Sequence, residues 1–317
     1  MPLVSVIMPV LNAERFIGEA IASVQTQTFR DWELVVVDDG STDASARIVE
    51  EARRGDPRIR LIDNRVSATH GAAAARNLGI RMAAGRLIAF LDADDVYEPE
   101  KLADEVALLA AHPDVAMVYG PAMWWNDEGA PRPWIQSMRR EAGRAYAPTI
   151  LLRKVIVSGV WEVPCTCCVL IRREAIERVG GFDERFRLYE DQTLWAKLFL
   201  LYPAYVHARC HARYRQHAGS TSAGAARAGE YSHHAAHSSR GPFLAWLEDH
   251  CRTSGVTDPR LLGEIRVARS PYVEGSGLQH WVDLTRLAVR NHFRKLRGRA
   301  IRLAKIIRGA GGGAGRG

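Results

Sequence analysis

Short β-branched apolar runs alternate with helical stretches over the first 120 residues. The apolar runs are VSVIMP, ELVVVDD, IRLID, LIAFLDADD and VAMVYG, and the stretches 15–25, 43–53, 72–84 and 99–111 between them have helical periodicity. Such βαβ alternation predicts a largely parallel sheet with helices on both faces. We therefore expect an α/β fold whose ligands bind beyond the carboxyl ends of the strands.

The pattern changes after residue 120. Residues 121–160 are rich in Trp, Pro and Arg with weak periodicity, which predicts an elaborated connection over the site. Val160 to Arg172 is rich in strand-forming residues, and Asp191 to Tyr202 has the pattern of an amphipathic helix. After Thr221 the pattern is helical, so we expect a helical C-terminal extension.

Composition narrows the class of protein. With 47% hydrophobic and 25% charged residues, the chain is typical of a globular protein. No apolar stretch reaches the roughly 20 residues that span a bilayer, and the N-terminus lacks the features of a signal peptide, so we expect a cytoplasmic protein. The cluster Cys165, Cys167 and Cys168 lies in an apolar run, which favours buried thiols over a zinc site.

The net charge of +7 is concentrated at one end of the chain. Residues 284–317 hold ten Lys or Arg and no Asp or Glu, so the first 283 residues hold 33 basic against 36 acidic residues. Spacings of three and four within 286–308 predict a helix with an apolar and a basic face. The apolar positions are Phe293, Leu296, Ala300, Leu303 and Ile307, and the basic positions are Arg290, Arg294, Arg297, Lys305 and Arg308.

A helix of this kind can lie on an anionic membrane surface or dock on the body of its own protein. Nucleic acid is a less favoured partner, because no aromatic residues interleave with the basic ones to form a stacking platform. We favour peripheral attachment to the inner face of the membrane.

Acidic residues follow two of the apolar runs. Asp38 and Asp39 precede a Gly-Ser-Thr turn, where a carboxylate can accept hydrogen bonds from a ribose or a base, or simply cap a turn. Asp92, Asp94 and Asp95 follow LIAFL, and such crowded carboxylates are costly unless a cation compensates them. Oxygen-rich clusters suit Mg²⁺ or Mn²⁺, although a solvated acidic loop would have the same sequence.

The chain resembles the family 2 glycosyltransferases of GT-A fold from Val4 to Ser222. The resemblance is carried, in order, by SVIMPVLNAERFIGEAIASVQTQTF, WELVVVDDGSTD, GAAAARNLGI, GRLIAFLDADD, RREAIERVGGFDE, YEDQTLWAKL and YRQHAGSTS. Each segment alone is a weak signal, but the set is specific. It implies a GT-A fold, a mostly parallel sheet flanked by helices, and inverting transfer of a sugar from a nucleotide diphosphate to a hydroxyl acceptor.

The resemblance also implies which residues bind the donor nucleoside. Pro9, Val10 and Asn12 would border it, and Asp39, with Asp38, would hold its base or ribose. UDP-sugars are the favoured donors, with dTDP- and GDP-sugars as alternatives.

The resemblance implies a diphosphate and metal site as well. Arg76 would lie near the donor phosphates, and Arg215 would neutralise phosphate charge. Asp92 and Asp94 match the DxD motif of the family, with Asp94 contacting Mg²⁺ or Mn²⁺, and His217 matches a position that helps to hold the metal or the diphosphate.

Asp191 matches the position of the family's general base, which takes the proton of the acceptor hydroxyl. Glu190 and Asp191 open a helix, whose positive end favours ionised carboxylates. Without the resemblance, ordinary helix N-terminal charge would explain this pair equally well. The implied organisation is a nucleotide-sugar-binding half at 1–120, an acceptor-side half at 121–222 and a helical extension at 223–317.

Two other functions fit parts of this pattern. A sugar-nucleotide-binding protein without turnover is disfavoured because Asp92, Asp94 and Asp191 are all present. A nucleotidyltransferase would need a Gly-rich basic loop after the first strand, where this chain has VLNAERF. A saccharide or lipid-linked acceptor is expected, as in polysaccharide or glycolipid synthesis, and isolated histidines such as His70 are interpreted as surface or core residues.

Overall fold

The computed structural model describes residues 1–65, 69–127, 132–138, 140–232, 237–273 and 285. The chain divides into two compact units, Met1–Ser239 and Arg240–Gly317. The helix predicted at 286–308 lies outside the described residues, so its role at a membrane stays a prediction. The predicted boundaries at residues 120 and 222 also stay predictions.

Two sheets form the larger unit. Its strands are β1 Val4–Val10, β2 Trp32–Asp38, β3 Ile59–Asp63, β4 Leu87–Phe90, β5 Val96–Tyr97, β6 Met117–Tyr119, β7 Ala122–Trp125, β8 Trp134–Ile135, β9 Arg144–Tyr146, β10 Val169–Arg172, β11 Ala204–Val206 and β12 Ala212–Arg215. The large sheet has the order β3-β2-β1-β4-β10-β6-β11-β9, and the small sheet has the order β5-β12-β7-β8.

The first four α-helices lie between the strands from β1 to β6, and five more follow within the described residues. They are α1 Ile17–Gln25, α2 Ser45–Gly55, α3 Ala72–Met82, α4 Lys101–Ala111, α5 Arg173–Val179, α6 Glu190–Leu201, α7 Thr221–Arg227, α8 Arg240–Thr253 and α9 Pro259–Arg269.

The first strands of the large sheet are parallel and covered on both faces. β1 pairs in parallel with β2 and β4, and β2 pairs in parallel with β3. Every residue of β2 is buried. On one face Val6 and Val36 pack in the same core as Ile21 of α1, and on the other Val35 packs with Ala75 of α3. The predicted α/β fold with a mostly parallel sheet is confirmed.

Strand β10 reverses the direction of the sheet next to β4. It pairs antiparallel with both β4 and β6, with Leu170 opposite Ala89 and Val118. Because it is antiparallel, β10 begins at the edge where β4 ends. The residues 92–95 that follow β4 contain Asp92, Asp94 and Asp95 and form the acidic loop. The single turn of 3₁₀ helix at Thr166–Cys168 therefore lies beside this loop.

The small sheet brings a distant segment to the same loop. β5 follows Asp95 directly, and β12 pairs antiparallel with it, with Ala212 opposite Tyr97 and Arg213 opposite Val96. β12 also pairs in parallel with β7. The residues that follow β12 therefore reach the carboxyl edge of β4.

The second half differs from its prediction in three places. The connection predicted at 121–160 contains β7, β8, β9 and a π-helical turn at Leu152–Val157. The strand predicted over Val160–Arg172 is confined to Val169–Arg172, because Pro164 and the 3₁₀ turn precede it. Helix α6 is buried around most of its surface rather than on one side, because α3, α5 and the π-helical turn all pack against it.

The second unit contains α8 and α9. Their buried residues are Phe243, Leu244, Leu247 and Cys251 on α8 and Leu261, Ile265 and Ala268 on α9. An Asp258 side-chain cap and Pro259 at the first position begin α9. Within the described ranges, no helix is long and apolar enough to cross a membrane.

Candidate active site

The ends of β1 and β2 are joined by polar contacts around Asn12. The Asn12 backbone has φ of 52°, in the left-handed region. Its side-chain oxygen accepts the backbone N–H of Thr42 at 2.8 Å, and its own N–H donates to Ser41 Oγ at 3.0 Å. Asp38 is buried and accepts the Ser41 N–H at 2.9 Å. These bonds give the loops above β1 and β2 a defined shape.

Pro9 and Val10 lie at the end of β1, opposite Val37 and Asp38 of β2. The carbonyl of Val10 accepts the N–H of Asp39 at 2.9 Å, which extends the pairing of the two strands by one bond. The structure therefore brings the predicted nucleoside-site residues to one edge of the sheet.

Asp39 is held by three donors. Its Oδ1 accepts Asn64 Nδ2 at 2.6 Å and lies 3.0 Å from His70 Nδ1, and its Oδ2 accepts the Gly71 N–H at 2.6 Å. Gly71 precedes α3, so the carboxylate also faces the positive end of a helix. His70 was predicted to be an ordinary surface or core residue, and its contact with Asp39 is not evident from the sequence.

Arg76 of α3 forms hydrogen bonds with Asp92 after β4 and with Glu190 at the start of α6. It is buried, and its Nη2 donates to Asp92 Oδ1 at 2.6 Å while its Nη1 donates to Glu190 Oε1 at 3.1 Å. Burial opposes its charge, but attraction to Asp92 and Glu190 outweighs burial and raises the pKa of Arg76. The structure thus places Arg76 between the acidic loop and the start of α6.

The acidic loop after β4 contains carboxylates with different partners. Asp92 Oδ2 accepts the Thr166 hydroxyl at 3.0 Å, a contact that the sequence does not reveal. Asp94 Oδ2 lies 2.8 Å from His217 Nε2. Asp95 is buried, and its Oδ1 accepts the N–H of Arg215 at 2.8 Å. Burial, together with the neighbouring Cys167 and the other acids of the loop, raises the pKa of Asp95.

Arg215 does not face an open cleft. Its side chain is 2% exposed, and its guanidinium pairs with the carboxylates of Glu19 and Asp127. Its Nε donates to the backbone carbonyl of Asp94 at 2.7 Å. The charge predicted to neutralise phosphate is therefore compensated within the protein in this structure.

Asp191 lies in the first turn of α6 and is half-buried. The helix begins after Tyr189, a non-glycine residue with φ of 69°. Asp191 Oδ1 accepts the N–H of Gln192 at 2.7 Å. Burial and the adjacent Glu190 raise the pKa of Asp191 to about 7, although the Gln192 N–H and Arg76 oppose the shift.

The side chain of Tyr189 contacts His237. Its hydroxyl lies 3.0 Å from His237 Nε2, and the ring of His237 stacks on the Tyr189 ring with centroids 5.8 Å apart. His237 Nδ1 lies 2.9 Å from the carbonyl of Glu230 and can only donate to it, so in a neutral imidazole Nε2 accepts from the hydroxyl. These contacts support the strained start of α6.

Asp94 and His217 together are suited to a divalent cation. In the part of the chain that the structure describes, no group of three or more His, Cys, Asp or Glu side chains could hold a metal ion. Mg²⁺ and Mn²⁺ need only one or two protein ligands when substrate phosphates supply the others. The Asp94–His217 pair, whose side chains are 27% and 21% exposed, therefore fits an ion that binds together with a diphosphate.

The excess of negative charge around this loop also favours a cation. Asp92 and Glu190 both pair with Arg76, and Asp94, which pairs with His217, lies two residues after Asp92 in the same loop. Arg76 balances only part of this charge. Crowded carboxylates of this kind favour a bound cation.

The chain matches the sequence model of the family described as "Glycosyl transferase family 2" over residues 5–180, more than half of its length. It belongs to the glycosyl transferase family 2. The matched range includes the loops after β1, β2 and β4 and ends before Asp191, Arg215 and His217.

One relative is named UDP-Glc:alpha-D-GlcNAc-diphosphoundecaprenol beta-1,3-glucosyltransferase WfgD, from Escherichia coli. It is 42% identical over 118 residues, which are 37% of this chain and 45% of WfgD. The chain thus spans about half the length of the first curated relatives it matches.

Solved structures share the fold. TarS of S. aureus, in complex with UDP-GlcNAc, superposes with a TM-score of 0.65 at 20% identity, over 90% of this chain and 79% of TarS. The mannosyltransferase PcManGT of Pyrobaculum calidifontis, in complex with GDP-Man and Mn²⁺, has a TM-score of 0.52 at 20% identity, over 96% of this chain and 85% of PcManGT.

Proposed function

We propose that this protein transfers a sugar from a nucleotide diphosphate sugar to a hydroxyl group, with inversion at the anomeric carbon. The observation that carries the proposal is Asp191, a carboxylate with a raised pKa at the start of α6, connected through Glu190 and Arg76 to the acidic loop after β4. Membership of the glycosyl transferase family 2 supports the class of reaction.

The donor nucleoside binds at the ends of β1 and β2 in this proposal. Pro9, Val10 and Asn12 border it, and Asp38 and Asp39 accept hydrogen bonds from its ribose and base. The backbone bonds around Asn12 support this role because they hold the loops in one shape before the donor arrives. UDP is the favoured nucleotide, since the name of WfgD specifies UDP-Glc and TarS was solved with UDP-GlcNAc.

The diphosphate binds above the acidic loop, together with Mg²⁺ or Mn²⁺. Asp94 and His217 would hold the cation, with Asp92 and Arg76 beside them. The bound cation would stabilise negative charge on the leaving nucleotide diphosphate. The complex of PcManGT with Mn²⁺ supports this choice of ion.

Asp191 acts as the general base. Its carboxylate takes the proton of the acceptor hydroxyl while the hydroxyl oxygen attacks the anomeric carbon, and the bond from that carbon to the diphosphate oxygen breaks. A base with a pKa near 7 is half ionised at neutral pH and accepts a proton more readily than an ordinary carboxylate. The neighbouring Glu190 is paired with Arg76 and therefore supports Asp191 rather than replacing it.

The acceptor is a saccharide or a lipid-linked saccharide. The name of WfgD specifies a diphosphoundecaprenol-linked GlcNAc, an acceptor held at a membrane. The basic segment 286–308 would bring the enzyme to the inner face of such a membrane. In this organisation, residues 1–120 bind the donor, 121–222 form the acceptor side and 223–317 form the extension.

The test is release of nucleotide diphosphate from a panel of UDP-, dTDP- and GDP-sugars in the presence of Mn²⁺. We expect one donor to give UDP, and a GlcNAc-diphosphate lipid to increase the rate. Binding of the donor without release of nucleotide under any condition, with or without acceptor, would favour a sugar-nucleotide-binding protein. Formation of a nucleotide sugar from a sugar phosphate and a nucleoside triphosphate would instead identify a nucleotidyltransferase.

A further inference from the structure

Arg215 is a buried cation at the end of β12. Burial of a charge is costly unless the charge is paired and its hydrogen-bonding groups are satisfied. The guanidinium carbon lies 4.1 Å from the centre of the Trp125 ring and 4.9 Å from that of Phe16, so aromatic faces contact it as well. These contacts restrict the orientations that the side chain can adopt.

The donors of Arg215 reach three separate segments of the chain. Nη2 pairs with Glu19 of α1, Nη1 pairs with Asp127 after β7, and Nε donates to the carbonyl of Asp94 at 2.7 Å. The planar fork of an arginine directs separate N–H groups at these three acceptors, whereas the three N–H groups of a lysine ammonium all leave one nitrogen. The two carboxylates carry more negative charge than the guanidinium carries positive charge, which disfavours a donor phosphate beside it.

These bonds hold the acidic loop at two points. The side chain of Arg215 binds the Asp94 carbonyl, and the Arg215 backbone N–H binds Asp95 Oδ1 at 2.8 Å. Two residues later, His217 lies 2.8 Å from Asp94 Oδ2, and its ring contacts Phe16 with centroids 4.7 Å apart. Arg215 is thus bonded to the loop that carries Asp94 and lies two residues before His217.

We propose that Arg215 is a positioning residue for the divalent cation, which it serves by aligning Asp94 with His217, and that it does not contact the donor phosphates. This inference rests on the proposed function, in which Asp94 and His217 hold the cation. It replaces the phosphate-neutralising role expected from the sequence.

Calorimetric titration of the full chain with UDP, in EDTA and in Mn²⁺, distinguishes the two roles. The variants are Arg215→Gln and Arg215→Lys. The matched control is Arg213→Gln, which removes a 41% exposed arginine on the same strand that pairs with Glu98. Thermal unfolding of each variant shows whether it is folded.

We expect UDP affinity in EDTA to be the same in all variants. The strengthening of UDP binding by Mn²⁺ should fall about 10- to 100-fold in Arg215→Gln, as is usual when a residue that orients metal ligands is removed. Arg215→Lys should lose as much as Arg215→Gln, because charge without the fork cannot align the loop. Arg213→Gln should behave as wild type.

Weaker UDP binding in EDTA for Arg215→Gln, or full recovery in Arg215→Lys, would overturn the proposal, because both are the signature of a phosphate contact. If Arg215→Gln does not fold, Glu19→Ala decides. It removes one partner, itself 52% exposed, and should lower the Mn²⁺ effect without changing binding in EDTA. An unchanged Mn²⁺ effect in that variant would also overturn the proposal.

Failure of the proposed metal role is visible in the wild type alone. If Mn²⁺ does not strengthen UDP binding to the wild-type chain, both the metal part of the proposed function and this inference are wrong. If it does and only the variants depart from expectation, the proposed function stands and the role of Arg215 is wrong.

Discussion

Replacing Asp191 by Asn tests the proposed base most directly. The asparagine oxygen can still accept the Gln192 N–H that Asp191 accepts at 2.7 Å, so the start of α6 should keep its geometry. What is lost is the basic oxygen. Removal of a general base lowers kcat by about 10² to 10⁴, which is about 3 to 5 kcal/mol of transition-state stabilisation.

The pH dependence of kcat tests the role of the Asp191 carboxyl independently. Burial and Glu190 raise the pKa of Asp191 to about 7, so the active, ionised form is lost as the pH falls below that value. Two units below the pKa, about 1% of the carboxyl is ionised, and kcat should be about a hundredfold below its plateau. This acidic limb should be absent from the residual activity of Asp191→Asn.

The assay is the initial rate of nucleotide diphosphate release at saturating donor and acceptor, measured across the pH range. Glu174→Gln is the matched control, since Glu174 is an exposed acid in the first turn of α5. UDP affinity should be nearly unchanged in both variants. Near-normal kcat in Asp191→Asn, or an acidic limb that persists in it, would refute the assignment.

Three further outcomes are expected. Glu190→Gln should move the acidic limb of kcat to lower pH, because the Glu190 charge raises the pKa of Asp191; a limb at unchanged pH would contradict the coupling. Asp94→Ala, or EDTA with the wild type, should abolish nucleotide release and the Mn²⁺-dependent part of UDP affinity, and full activity in EDTA would contradict the metal role. The full chain should sediment with anionic vesicles, and high salt should weaken this binding. Removal of residues 284–317 should abolish sedimentation and leave donor hydrolysis unchanged. Equal sedimentation with and without the segment would contradict membrane attachment.

Folding stability should respond to Asp191 in a defined direction. The pKa of Asp191 in the folded protein, about 7, lies above its ordinary value of 3.8, so ionisation costs more in the folded state than in the unfolded state. Wild-type stability should therefore fall relative to Asp191→Asn as the pH rises from about 4 to about 7, and the difference should stay constant above that range. Thermal unfolding of the two proteins across this range measures the effect, and parallel profiles would show that the pKa is not raised.

The donor half of the fold could be predicted because its patterns are local. Each strand from β1 to β4 is a short apolar run between helical segments, and the acids after β2 and β4 come to one edge because parallel strands end there. The surroundings of helix α6 were harder to predict. Its position was predicted, but its burial depends on α3, α5 and the π-helical turn, which lie elsewhere in the chain.

The side-chain partners in the site could not be predicted for the same reason. Glu19 lies 196 residues from Arg215 and Asp127 lies 88 residues from it, so no local pattern shows that the arginine is buried and paired. His70 meets Asp39 only because the loop before α3 folds back to the end of β2. Such contacts are set by packing, whereas residue type suggested the acidic loop and the family resemblance implied Asp191 and His217.

The pairing of β12 with β5 has a consequence for the order in which the protein assembles. Asp94 and His217 are separated by 123 positions in the chain, and the small sheet that joins them needs β12. During synthesis from the N-terminus, β1 to β4 emerge with their helices and can associate before β12 has been made. Contacts over such sequence distances form slowly, because a long loop must be closed first. We therefore expect a nascent chain to form the proposed nucleoside site early and the Asp94–His217 pair only after residue 217 has emerged, so that the proposed cation site is among the last parts of the enzyme to form.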